Sequence, residues 1–182
     1  MNRRAPGLTV EMARVPAATR LRRVADGSLD AALLRGATTH PGLRLETVWT
    51  DDVIVALPAR HPLAAAEALT LDRLRDLPVR LPERDANPPL VDLVTAACRA
   101  AGFEPRLAPA MNDQDMLAAI AAGPATWTVY YAAQAESLAT TGGIAFRALA
   151  DPPLRMPTAL AVPVGRLGPN VTALLAACRA VA

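Results

Sequence analysis

Histidines, thiols and paired acids do most side-chain chemistry near neutral pH, and this chain holds few of them in useful arrangements. His40 and His61 are its two histidines. They stand far apart and fit neither HExxH nor any similar metal spacing. His40 sits in "TTHPG", a turn composition expected to face solvent. His61 sits in "PARHPLA" with no nucleophile, base or ligand beside it. Cys98 and Cys178 are isolated. Each lies on the apolar face of an expected helix, Cys98 with Val94 and Ala101, Cys178 with Leu174 and Val181, so both are expected as buried, inert thiols. The acid pairs Asp51–Asp52 and Glu83/Asp85 lack the placement of a general acid and base and read as solvated loops. There is no phosphate loop with lysine, no GxGxxG after a strand and no GxSxG elbow. No catalytic set is visible. The expectation is a binding protein, not an enzyme, without metal or cofactor.

Composition narrows the class. Of 182 residues, 52% are hydrophobic and 20% charged, which suits a globular chain with real cores rather than a disordered one. All 19 basic residues are arginine, and the net charge is only +2. The densest basic cluster, Arg20, Arg22 and Arg23, reads as a solvated helix face, too small for a nucleic-acid footprint. No run of apolar residues is long enough to span a membrane. The basic start "MNRRAPGLTVEM" has no apolar stretch behind it, so no secretory signal is read and the cytoplasm is the expected compartment.

The elements that must position any site alternate between strand and helix. "LTVEMARV" (Leu8 to Val15) has the strand period of two, and "PAATRLRRVADG" follows as a helix with Gly27 as its stop. "DAALL" is short and apolar, like a buried parallel strand, and completes a strand–helix–strand unit. Leu43 to Leu57 reads as extended chain with a bend or hairpin at Thr50 and Asp51. A short helix near Leu71 to Arg75 and a strand at Val79 to Pro82 come next. The loop "ERDANPP" leads into a helix over Pro88 to Ala101. A strand "RLAPAM" precedes a helix from Asp113 to Ala122, capped by Asn112. "TWTVYY", "IAFRAL" and "PTALAVP" are strands, and "PNVTALLAACRAVA" closes the chain as a helix. The middle third has its own strand–helix cycle, while the two ends share another sheet. That pattern predicts two α/β lobes joined by two crossings, with a ligand cleft between them. Trp49 is expected in core or hinge packing; Trp127 either packs or lines the cleft.

The ordered set of motifs resembles a known family. "RLRRVADGSLDAALL", "ETVWTDDVIVALPARHPLA", "LTLDRLRDLPVRLP" and "AAGFEPRLAPAMNDQDMLAAIAAG" are together similar to the effector-binding domain of LysR-type transcriptional regulators, from about Pro6 to Ala182. The resemblance implies a two-lobed, type 2 periplasmic-binding-protein-like α/β fold. Lobe I is mapped to residues 1–57 and 152–182, and lobe II to 58–151. The implied hinges are Pro58, Arg60, Asp151 and Pro152. The implied effector contacts are His61, Arg84, Asp85, Asn87, Asn112, Asp113, Thr126 and Trp127. Two helix starts with free N–H groups, and the Arg84 fork, suit an anion. Capping is the competing role for Glu83 and Asp85.

Two departures qualify the resemblance. "GPATWTVYYAA" stands where the family has G-x-G and a later proline. The chain also starts just before the family's second strand, so lobe I is expected to be incomplete, with the DNA-binding helix-turn-helix absent. An exposed strand edge at Leu8–Val15 is then expected to invite pairing, and the usual homo-oligomer to be weakened or altered. The implied function is sensing a small effector to control transcription, with DNA bound only through the helix-turn-helix of the full-length protein. The alternative is a stand-alone small-molecule binder or an enzyme, such as a dehydratase, on the same fold.

Overall fold

The computed structural model describes residues 9–13, 15–37, 39–111, 113–138, 142–165 and 167–180. In chain order the regular elements are α1 (Ala17–Ala25), β1 (Ala32–Arg35), β2 (Leu43–Pro58), a 3-10 turn (Pro62–Ala65), β3 (Ala68–Leu69) and a second 3-10 turn (Leu71–Leu74). Then follow α2 (Pro88–Ala100), α3 (Asp113–Ala122), β4 (Thr128–Tyr131), α4 (Ala132–Leu138), β5 (Ile144–Leu149), β6 (Leu154–Pro163) and α5 (Pro169–Arg179). The chain divides into two compact units, 1–50 with 157–182, and 51–156. It passes from one to the other inside β2 and inside β6.

The first unit is a sheet with a helix on each face. β1 pairs antiparallel with β6, and β6 neighbours β2. Period-two alternation sorts the side chains of β6. Leu160 and Val162 pack with Val48 of β2 against Val171, Leu175 and Cys178 of α5. Ala161 turns the other way and joins Ala32, Leu34, Leu43 and Val24 of α1. The four-to-three spacing of Val171, Leu175 and Cys178 makes one helical stripe, the reason α5 has a face to bury. Trp49 packs half-buried beside the α5 cluster. Gly27, at φ 79°, ends α1 in the left-handed conformation that glycine adopts without steric cost.

The second unit has the larger core. The end of β2 is flanked by β4 and β5, both antiparallel, and β5 pairs in parallel with the short β3. Val53, Val55, Ala56 and Leu57 are all essentially inaccessible, because a strand with a neighbour on each edge and cover on both faces loses its solvated side. Three extended segments run parallel where Val79 bridges both Leu107 and Trp127. α2 follows the first of these and α3 the second. α2 buries Leu90, Val94 and Cys98 at helical spacing. Each large apolar side chain so buried contributes about 1.5–3 kcal/mol.

Several expectations change. Residues 9–13 and 15 form no strand, and Met12 is 78% exposed. A strand pattern alone does not make a strand; the backbone needs a neighbour to accept its ladder bonds. β1 is antiparallel to β6, so the expected parallel strand–helix–strand unit is not formed among the described residues. The expected bend at Thr50 and Asp51 is absent: β2 is one continuous strand of 16 residues. Asp51 is accordingly buried within it rather than solvated in a loop, while Asp52 is exposed and pairs with Arg155 at 3.1 Å. His40 is half-buried, its Nδ1 enclosed without a partner, instead of facing solvent. The Val79 to Pro82 and Leu107 segments make isolated bridges rather than full strands. The short α4 carried no distinct sequence signal.

Candidate functional site

The segment after β2 is built around two backbone-capping side chains. Pro58 is the buried last residue of β2. Arg60 is exposed and lays its guanidinium across the C-terminal end of α3, donating Nη1 to the Ala121 carbonyl and Nη2 to the Gly123 carbonyl, both at 2.6 Å. A cation at that end also suits the helix dipole. His61 caps the first 3-10 turn, its Nδ1 accepting from the Leu63 N–H at 3.2 Å. Asp151, at φ 48°, and Pro152 lie in the turn between β5 and β6. All four expected hinge residues fall inside the second unit.

The loop before α2 does not hold Arg84 ready for a ligand. Arg84 forks onto Asp92 of α2, Nε to Oδ1 at 2.7 Å and Nη2 to Oδ2 at 2.8 Å. The hydrogen bond and charge of Asp92 raise the Arg84 pKa, and the same hydrogen bond holds the Asp92 carboxyl below its ordinary range. Both side chains are solvated, so the pair fixes geometry more than it stabilises. Asp85 is exposed, and Asn87, the N-cap of α2, makes no side-chain cap bond. Pro88 and Pro89 fill the first two helical positions, so two of the N–H groups that a helix start normally leaves open are missing. At α3, Asn112 lies outside the described residues. The helix begins at Asp113, with Asp115 two positions on, so its start is acidic. The α2 start is thus not the open anion cradle expected from the sequence, and the α3 start lies partly outside the described residues.

Thr126 and Trp127 turn inward. Trp127 is fully enclosed in the second unit's core, and its indole Nε1 donates to the Leu77 carbonyl at 3.0 Å. A ring with no accessible surface cannot contact a ligand, so Trp127 is a packing residue and its expected effector contact is corrected. Thr126 is buried too, with its Oγ1 accepting from Arg80 Nε at 3.2 Å. Arg80 also donates Nη1 to the Pro109 carbonyl at 3.1 Å and contacts Met111 Sδ at 3.3 Å. It has no carboxylate partner among the described residues, and its Nη2 is unused. The sequence did carry this signal: Arg80 stands between Val79 and Leu81, both buried, so the strand period turns it to the opposite side.

Both thiols are inert by environment. Cys98 is inaccessible, and burial pushes its pKa up to about 11; burial also raises that of Cys178. In the first unit an open groove of about 550 Å³ runs past Arg44, Glu46 and Arg179. Glu46 takes up both arginines, at 3.0 Å from Arg44 and 2.7 Å from Arg179. Among the described residues no three His, Cys, Asp or Glu side chains gather as a metal site, and no helix is long and apolar enough to cross a membrane.

Two helix-covered α/β units, with the chain passing twice between them, define a two-lobed, periplasmic-binding-protein-like fold. The family model described as "LysR substrate binding domain" matches residues 1–182, and the chain belongs to that family. Among solved structures, the BenM effector binding domain with its effector benzoate superposes with a TM-score of 0.86 over 99% of this chain and 81% of that one, at 21% identity. The C-terminal domain of a probable LysR family transcriptional regulator from Rhodococcus sp. RHA1 gives 0.73 over 97% and 87%, at 23% identity. Of curated proteins, the HTH-type transcriptional regulator TtuA of Agrobacterium vitis is 30% identical over 156 residues, 80% of this chain and 51% of that protein. The HTH-type transcriptional regulator AlsR of Bacillus subtilis is 27% identical over 112 residues, 62% and 37% respectively. The chain thus spans about half or less of these curated relatives.

Proposed function

We propose that this chain is the effector-sensing module of a LysR-type transcriptional regulator, and that its effector is a small anion. The observation that carries the module assignment is the family match over all 182 residues. A ligand drives such a module only by binding one of its conformations better than another. DNA is contacted through a separate helix-turn-helix domain, the regulator works as a homo-oligomer in the cytoplasm, and the ligand is bound without being turned over. The anion assignment is supported by Arg80, which has no carboxylate partner among the described residues and sits against the Thr126 hydroxyl, where the sequence had pointed to Arg84. His61, Asp85 and Asn87 belong to the same unit.

The test is a thermal-shift screen of small carboxylic acids, followed by calorimetric titration of the hits. Arg80→Met is expected to weaken a hit at least tenfold, and Arg84→Ala to leave it within twofold. The reverse ranking overturns the anion site. Promoter affinity of the full regulator should change when the hit is added; hydrolysis or dehydration of the hit with no change in promoter affinity overturns the sensor assignment.

A further inference from the structure

An arginine stands where the pattern of β5 calls for an apolar side chain. Ala145, Arg147 and Leu149 share one face of the strand by the period of two, and both Ala145 and Leu149 are buried. Arg147 is half-buried there. Its Nε donates to the Ala64 carbonyl at 2.9 Å, its Nη2 donates to the same oxygen, and its Nη1 donates to the Phe146 carbonyl at 2.6 Å. A guanidinium has five N–H groups. Three bonds to neutral carbonyls leave two groups unmet and the charge unbalanced, since no carboxylate pairs with Arg147 among the described residues. Drawing a cation out of water costs free energy unless an opposite charge or a full set of acceptors compensates.

The space beside it fits what is missing. Arg147 lines an open groove of about 400 Å³ with Ala59, Ala64, Ile144, Ala145 and Phe146. The groove lies wholly within the second unit. Arg147 is the one charged side chain among its described lining residues, and backbone polar groups share the walls with small apolar side chains. The small side chains of Ala59 and Ala64 keep the groove open.

We propose that this groove is a second ligand site, distinct from the Arg80 region, and that it binds a small carboxylate with a compact apolar body. The carboxylate takes the two free N–H groups of Arg147, and the body lies against Ala59 and Ala64. Holding the side chain on Ala64 fixes the fork in advance, which lowers the ordering cost of binding.

The probe is cyclohexanecarboxylate, with the neutral cyclohexanecarboxamide as control, titrated into the isotopically labelled chain and followed by NMR. Shift changes are expected at Ala64, Ile144, Phe146 and the Arg147 Nε–H, saturating with the acid and at least tenfold weaker with the amide. Arg147→Gln is expected to raise the dissociation constant at least tenfold. Because that variant loosens the Ala64 latch, Ala59→Phe provides an independent check: it fills the groove from an exposed rim position, leaves Arg147 in place, and should abolish the same shifts. Shifts confined to other residues, equal binding of acid and amide, or undiminished binding by Ala59→Phe would each refute the site.

Discussion

Replacing Trp127 with phenylalanine separates a core role from a ligand-contact role. The indole is fully enclosed and donates to the Leu77 carbonyl. Phenylalanine keeps one ring but removes the donor, leaving a buried carbonyl unmet at a cost of about 1 kcal/mol. The lost pyrrole leaves roughly 40 Å³ of void, which at ~24 cal/mol per Å³ adds about 1 kcal/mol. The apolar contact removed is of similar size, so the second unit should lose about 2–3 kcal/mol in all. Trp127→Ala should cost about 3–5 kcal/mol. Urea unfolding followed by circular dichroism measures the loss, with Trp49 fluorescence reporting the first unit separately. Affinity for any small acid found in the screen should stay within twofold for the folded Phe variant. A loss of stability under 0.5 kcal/mol, or a large loss of affinity at unchanged stability, contradicts the packing argument.

Two further outcomes follow from the titrating groups. Asp26, Asp72 and Asp92 all have lowered carboxyl pKa values, Asp26 through Ser28, Asp72 through Thr70 and Asp92 through Arg84. A folded pKa below the unfolded one means stability that is present above the ordinary carboxylate range and lost as pH falls through the folded values. Melting temperature should therefore hold from pH 7 to about 5 and fall below about 4, with Arg84→Ala flattening part of that fall; a melting curve that rises in acid would contradict the sign. Cys98 and Cys178 should resist a thiol reagent at pH 8 in the native chain and both react in denaturant, as followed by mass spectrometry; rapid native labelling of Cys98 would show that its core opens.

Much of the fold was legible because it rests on local pattern. The stripe Leu90, Val94 and Cys98 and the glycine stop at Gly27 each state their element without outside help. The family was legible for the same reason, since its motifs are these local patterns in a fixed order. The site was legible only in part. His61 caps its own turn, a local contact two residues on, whereas Arg60 reaches the far end of α3, which no local pattern announces. Arg84 looked free because Asp92 lies across a loop and a helix start. Trp127 looked ambiguous because nothing local says whether a strand residue faces core or surface when its neighbours are apolar on both sides.

The sequence by itself determined most of the helices and strands, which family the chain resembles, and that no familiar catalytic constellation is spelled out along it, because propensity, period and motif act over a few residues. Tertiary structure decided how the charged groups are spent. Whether an arginine meets a carboxylate, a carbonyl or nothing depends on what a second segment brings to it. Arg84 meets Asp92, Arg60 meets the end of α3, Arg80 meets Thr126, and Arg147 meets Ala64 with two donors to spare. The same holds for residues 9–13 and 15: the alternation there calls for a strand, and a strand exists only where another chain segment accepts its hydrogen bonds.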